Sequence, residues 1–303
     1  MEEGKKHFVL VHGAAHGAWC WYKLIPLLKS SGHRVTALDL GASGVDPNRL
    51  DEIATISDYA RPLMEFMASL PEDDGKVILV GHSFGGYVIS LVMEMFPQKV
   101  LVAVFVTAEM PNLVEPPATL MIEILERTPE EVFALCEVEF DKEQERLPIS
   151  ALFGPVYLET IMYTNCQPEA SSSTFCTNIH QDLELAKLMM RPFKFFLGDM
   201  SKESLLSEAK YGSVKRVYIV CKDDIVTMQE FQERIIESYP PDEVKYIEGA
   251  DHMVMLSKPN ELCQCLLEVA DEDWLSCDGD QLQEEVVQPS DHQNVSQVNC
   301  SSD

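Results

Sequence analysis

Positive charge is scarce in this chain. Its 303 residues hold 23 Lys and Arg against 50 Asp and Glu, a formal net charge of −27. So acidic a surface repels phosphate backbones and anionic headgroups, so neither nucleic acid nor a membrane surface is an expected partner. Long apolar runs are missing too. No window approaches the ~18 apolar residues of a membrane span, and Phe8-Val9-Leu10-Val11 is too short for the apolar stretch of a secretory signal. The nine cysteines are an odd number and include no Cys-x-x-Cys pair. Reduced, mostly buried thiols in a cytoplasmic protein are expected, with no bound metal, and the sequons at Asn294 and Asn299 then go unused. Internal repeats are absent. No Gly-Lys-Ser/Thr follows the glycine-rich turn at residues 12–17, so that turn is not a phosphate loop.

What is present is a core. Hydrophobic residues make up 46% of the chain, enough for one large domain or one domain with an inserted lid. Near-continuous apolar runs at residues 7–11, 34–38, 76–80, 100–106, 216–220 and 244–247 have the character of strands buried on both faces. Helical patterns at 18–30, 56–70, 87–95 and 231–238 alternate with them. That rhythm predicts an α/β fold with a doubly wound, mostly parallel sheet. It breaks at 111–190, where helical patches at 120–127, 129–136, 157–163 and 182–190 occur without clear strands. This interval is expected to be a helical cap inserted after the strand at 100–106. The core then comprises residues 1–110 and 191–273. The serine-rich stretch 170–181 reads as a loop in the cap. Residues 274–303, rich in Gln, Ser, Asp and Asn, read as a disordered acidic tail.

The chemistry centres on Gly81-His82-Ser83-Phe84-Gly85-Gly86, a Gly-x-Ser-x-Gly motif between an apolar strand and a helix. A sharp turn there lifts a serine hydroxyl above the sheet edge, and the helix N-terminus behind it adds partial positive charge. Ser83 is therefore the candidate nucleophile. It needs a base, and the base needs an orienting carboxylate. Asp224 follows the strand at 216–220 and His252 follows the strand at 244–247, so both fall at the carboxyl edge of the sheet with Ser83. Asp223 and Asp251 are the alternative orienters. The N–H groups of Phe84 and of Ala14, in the loop after the first strand, are the candidate oxyanion donors. His7, His12, His16, His33 and His82 lie in or beside the early strands and read first as structural. His180 and His292 fall in the two atypical segments.

These features carry a resemblance. The stretches FVLVHGAAHGAWCWYKLIPLL, GHRVTALDL, KVILVGHSFGG, YGSVKRVYIVC and GADHMVML resemble the plant methyl esterase and hydroxynitrile lyase family of α/β hydrolases, over roughly residues 7 to 272. The run RLDEIATISDYARPLMEFMASLP is most similar to its alkaloid branch, the polyneuridine aldehyde esterase-like enzymes. The resemblance implies a Ser83–Asp224–His252 triad with Ala14 and Phe84 as oxyanion donors. It implies a small-molecule methyl ester as substrate, no cofactor, and a homodimer. It puts Gly13, His16, Glu109 and Met253 near the substrate. Lyases of the group carry threonine where this chain has Gly13 and lysine where it has Met253; Met253 offers a cyanide leaving group no positive charge, so hydrolysis is favoured. The expected function is methyl-ester hydrolysis, on an indole alkaloid aldehyde ester whose acid then loses CO₂ spontaneously. Phytohormone methyl esters are the alternative substrates, and a lyase or a non-catalytic hormone-type receptor the alternative functions. The segment 170–181, the tail and Glu109 depart from the family pattern. Glu109 reads first as a solvated residue at the cap hinge, and alternatively as a pocket carboxylate facing a protonated amine.

Overall fold

Strands rich in Val, Ile and Leu need cover on both faces, and the chain supplies it from alternating helices. The computed structural model describes residues 4–140, 147–166, 176–202 and 205–274. Strands β1 (His7–Val11), β2 (Arg34–Leu38), β3 (Val77–His82) and β4 (Val100–Val106) come first. An excursion then contributes β5 (Cys136–Phe140), β6 (Pro148–Phe153) and β7 (Phe193–Lys194), before β8 (Arg216–Cys221) and β9 (Glu243–Ile247) complete the main sheet. Its order is β2-β1-β3-β4-β8-β9, parallel throughout. Phe8, Val9, Leu10, Ile78, Leu79 and Val80 are fully buried, as central parallel strands require. Parallel strands share one carboxyl edge, which gathers the loops after β1, β3, β8 and β9.

Helices α1 (Leu24–Ser30), α2 (Ile56–Ser69) and α3 (Gly85–Met95) cover the sheet; α2 packs on α3, and α1 on the C-terminal helix Pro259–Asp271. The single helix expected over 18–30 is instead a 3-10 turn, Ala18–Trp21, followed by α1. Pro26 explains the break. Starting at Leu24 puts the proline in the first turn, where its missing N–H costs nothing.

The interval expected to be purely helical is not. It holds α4 (Ala118–Arg127), short turns at Glu130–Phe133, Pro155–Tyr157 and Leu158–Met162, and the helix Cys176–Met189. It also holds β5 and β6, which form an antiparallel sheet β5-β6-β7 with a strand just past its end. In β5 the exposed Glu137 and Glu139 alternate with the half-buried Cys136 and Val138. That is a two-residue period, but too short to stand out beside the helical patch before it. The stretch 170–181, expected as a loop, is helical from residue 176 onward, and residues 170–175 lie outside the described residues.

Buried polar ties fix the excursion to the sheet. Asp182 accepts the Tyr22 hydroxyl at 2.6 Å and the Lys23 ammonium at 2.5 Å. The Arg191 guanidinium donates to the carbonyls of Asp46 and Asn48 at 2.6 and 2.8 Å. The described residues up to Glu272 make one compact unit. The expected acidic tail lies, beyond Trp274, outside the described residues.

Candidate active site

Ser83 occupies the turn between β3 and α3 with φ of 50°, in the left-handed region that a non-glycine residue enters only under strain. Two glycines make the turn possible. A Cβ on Gly86 would stand 2.0 Å from the Glu109 carbonyl oxygen, and one on Gly13 would stand 2.8 Å from Ser83 Cβ. The backbone therefore closes on the serine from both sides without side chains in the way.

The base and its carboxylate meet this serine from the β8 and β9 loops. His252 Nε2 is 3.1 Å from Ser83 Oγ, and His252 Nδ1 is 2.8 Å from Asp224 Oδ2. The carboxylate takes the Nδ1–H, which leaves the Nε2 lone pair for the serine hydroxyl. Asp224 is itself held at four points. Its Oδ1 accepts the N–H groups of Val226 and Thr227 at 2.8 and 2.9 Å, and the Thr107 hydroxyl donates to Oδ2 at 2.5 Å. Thr107, just past β4, has φ of 39°, a costly conformation for a β-branched residue that aims its hydroxyl at the aspartate. The sequence reading did not find Thr107; a polar residue closing the apolar run of β4 was the only signal.

The alternative orienters have other places. Asp223 is exposed. Asp251 is buried and accepts the Asn165 and Met253 N–H groups at 3.0 and 3.1 Å and the Ser257 hydroxyl at 2.6 Å, so it braces the histidine loop. Burial alone would lower the His252 pKa. The Asp224 carboxylate, helped by Glu109 and Asp251, outweighs burial and leaves His252 above its ordinary 6.5.

Ala14 and Phe84 both line the pocket over the serine, and among the described residues neither N–H is donated to a protein acceptor. The Ala14 carbonyl is pinned from behind. His16 donates from Nδ1 to it at 2.8 Å and receives the Tyr163 hydroxyl on Nε2 at 2.8 Å. Burial drives the His16 pKa down to about 3, so the ring is neutral. His82 donates from Nε2 to the His252 carbonyl at 2.7 Å, and burial holds it neutral as well.

The space over the serine is about 790 Å³, counting the part that opens to solvent. Its walls are largely α4, β5, β6 and β7 side chains, including Met121, Leu125, Val138, Phe153 and Phe193. Gly13, His16 and Glu109 line it. Met253 does not; it is fully buried and absent from the lining, because its N–H caps Asp251 and its side chain enters the core. Glu109 is not a solvated hinge residue. It is 5% exposed, and burial lifts its pKa to about 7. The sequence could not show this, since the wall that encloses Glu109 comes from segments distant along the chain. Among the described residues no three His, Cys, Asp or Glu side chains are clustered to hold a metal ion.

Comparison with known proteins gives this geometry a context. A model of the "Alpha/beta hydrolase family" matches residues 8–264. Methylesterase 10 of Arabidopsis thaliana is 50% identical over 264 residues, covering 87% of this chain and 91% of that one. Norfluorocurarine synthase 2 of a Strychnos species is 48% identical over 270 residues, covering 88% and 96%. The crystal structure of polyneuridine aldehyde esterase, an enzyme of Rauvolfia serpentina, superposes with a TM-score of 0.79 at 45% identity, covering 88% of this chain and 100% of that one.

Proposed function

The chain belongs to the alpha/beta hydrolase family, and on that premise we propose that it is a serine carboxylesterase that removes methyl groups from small plant metabolites. One observation carries the reading: the unbroken line from Ser83 Oγ through the His252 ring to Asp224, with contacts of 3.1 and 2.8 Å. Ser83 attacks the ester carbonyl as His252 takes its proton. Asp224 fixes the ring and steadies the imidazolium. The N–H groups of Ala14 and Phe84 receive the oxyanion. Methanol leaves with the proton from His252, and water then releases the acid by the same route.

The substrate named in polyneuridine aldehyde esterase supports an indole alkaloid aldehyde ester here. A carboxyl group β to an aldehyde passes its proton to the carbonyl oxygen and loses CO₂, leaving an enol. The final product would then lack the whole carbomethoxy group. Cyanohydrin cleavage is not favoured: the relatives described above include two named as esterases, and Met253 brings neither charge nor contact to the pocket. The cytoplasm is the compartment that suits Cys20, Cys136, Cys221, Cys263 and Cys265, all free thiols. Among the described residues no helix is long and apolar enough to cross a membrane. A dimer in solution belongs to the same reading and is checked by analytical ultracentrifugation.

Mass spectrometry of products from a methyl-ester panel tests the reading. The panel spans methyl salicylate, methyl jasmonate, methyl indole-acetate and an alkaloid aldehyde ester. Turnover of the alkaloid ester with loss of the carbomethoxy mass is expected, and Ser83→Ala should abolish it. Turnover of a hormone ester alone would move the substrate to that class. Turnover retained in Ser83→Ala would overturn the acyl-enzyme.

A further inference from the structure

Among the described residues, those lining the pocket over the serine offer one carboxyl group and no Lys or Arg. That carboxyl belongs to Glu109, three residues past the end of β4. Its N–H reaches the Ser83 carbonyl at 3.4 Å, so it lies against the nucleophile's own backbone. The side chain lines the pocket at 5% exposure, and Oε2 is buried with no hydrogen-bond partner.

The Glu109 carboxyl has its own backbone N–H beside it, but the side chains facing Oε2 supply no hydrogen bond. His252 has Nδ1 on Asp224 and Nε2 toward Ser83. Asp224 carries the same sign of charge. The Tyr218 hydroxyl is spent on the Ala108 carbonyl at 2.9 Å, and the Tyr87 hydroxyl makes no bond to it. A carboxylate so enclosed is unfavourable unless a cation or donor meets it.

We propose that a ligand meets it: Glu109 is a specificity-determining residue whose carboxylate pairs with a protonated amine on the acyl part of the methyl ester. The inference rests on the ester-hydrolase reading and narrows its substrate class to methyl esters of basic amines. The net charge of −27 favours the approach of such cations. The apolar walls suit a compact amine-bearing ring system, and they strengthen the ion pair by excluding water.

A matched pair of substrates tests it: methyl 3-(piperidin-4-yl)propanoate, which is cationic, and methyl 3-cyclohexylpropanoate, its neutral counterpart. At about pH 8.5 the piperidine keeps its proton, and Glu109, which titrates at about 7, is ionised. The wild type should show a KM for the cationic ester lower by about tenfold or more, and Glu109→Gln should erase that preference. Glu109→Met serves as a second variant, with melting temperatures confirming that both fold. The same comparison by calorimetry on Ser83→Ala, with and without Glu109→Gln, reads affinity without turnover.

An unchanged cationic-to-neutral ratio in the variants overturns the proposal and leaves the hydrolase standing. So does an equal loss on both esters, which would mean that Glu109 acts only through His252. Tighter binding of the cationic ester to Ser83→Ala, lost with Glu109→Gln, supports the pairing role of Glu109 even if the wild type hydrolyses neither ester, and the methyl-ester panel then decides the hydrolase reading separately. Equal binding of both esters overturns the proposal whether or not they are hydrolysed.

Discussion

The Tyr163 hydroxyl donates to His16 Nε2 at 2.8 Å, while His16 Nδ1 donates to the Ala14 carbonyl at 2.8 Å. A residue following the turn Leu158–Met162 thus reaches through one neutral ring to the Ala14–Ala15 peptide, next along the chain from the one that carries the Ala14 N–H. Tyr163 is 1% exposed, so its hydroxyl has little water to fall back on. Without that donor the ring loses the contact that fixes its tautomer and its tilt. Tyr163→Phe should therefore lower kcat by roughly tenfold and shift KM less than about twofold, because an oxyanion donor is misaimed rather than removed. Binding of a trifluoromethyl ketone, which forms a tetrahedral adduct, should weaken in parallel, while binding of the product acid stays unchanged. Equal weakening of both would reduce Tyr163 to a packing role.

The four contacts on Asp224 predict a graded response. Asp224→Asn presents an amide to His252 Nδ1 and favours the wrong tautomer, so kcat should fall by about 10³–10⁴ with KM nearly constant. Thr107→Val leaves the charge in place and removes one of four partners, so the loss should be about tenfold. Steady-state kinetics on both variants checks the order. A Thr107→Val loss as large as that of Asp224→Asn would mean that the strained threonine holds the loop rather than the carboxylate.

The triad was legible in the sequence because each member follows an apolar strand, and parallel strands bring their carboxyl ends to one edge. That rule and the motif put Ser83 and His252 at this edge with Asp224, Asp223 or Asp251 as orienter, and the resemblance pointed to Asp224. The same rule could not place Glu109 or Met253. Both follow strand ends, yet one faces the pocket and the other the core. A local contact goes with the choice in each case: the Glu109 carbonyl fits against Gly86, and the Asp251 carboxylate accepts the Met253 N–H. The strands β5 to β7 were hidden for a different reason. They are short and paired antiparallel across a long interval, and the two-residue period of β5 is too brief to stand out beside the helical patch before it.

His252 and Glu109 together set the response to pH. The Asp224 carboxylate, with Glu109 and Asp251, leaves His252 above 6.5 despite burial. As a base it must be neutral, so kcat/KM should rise with pH through a limb lying above 6.5. An ionised Glu109 contributes to that upward shift, and Glu109→Gln removes it. The limb should therefore move to lower pH in the variant, and a kcat/KM profile on a neutral methyl ester measures the displacement. A limb that stays in place would show that the two groups do not interact across the pocket.

Glu109 should also leave a mark on stability. Burial raises its carboxyl from 4.5 to about 7. The unfolded chain gives up this proton near its ordinary value, whereas the folded chain keeps it until about 7. Between those values the native state binds more protons, so stability falls as pH rises across that window and stays lower above it. A shift of this size corresponds to about 3 kcal/mol. Glu109→Gln abolishes the titration. At about pH 8 it should gain up to that amount, a rise in Tm on the order of 5 °C for a chain of this length. At about pH 4, where the wild-type carboxyl is protonated in both states, the two proteins should melt together. Scanning calorimetry at the two pH values reads Glu109 together with its coupling to His252, because no other titrating group is replaced. A Tm difference independent of pH would mean that the carboxyl ionises normally and finds a partner inside the fold.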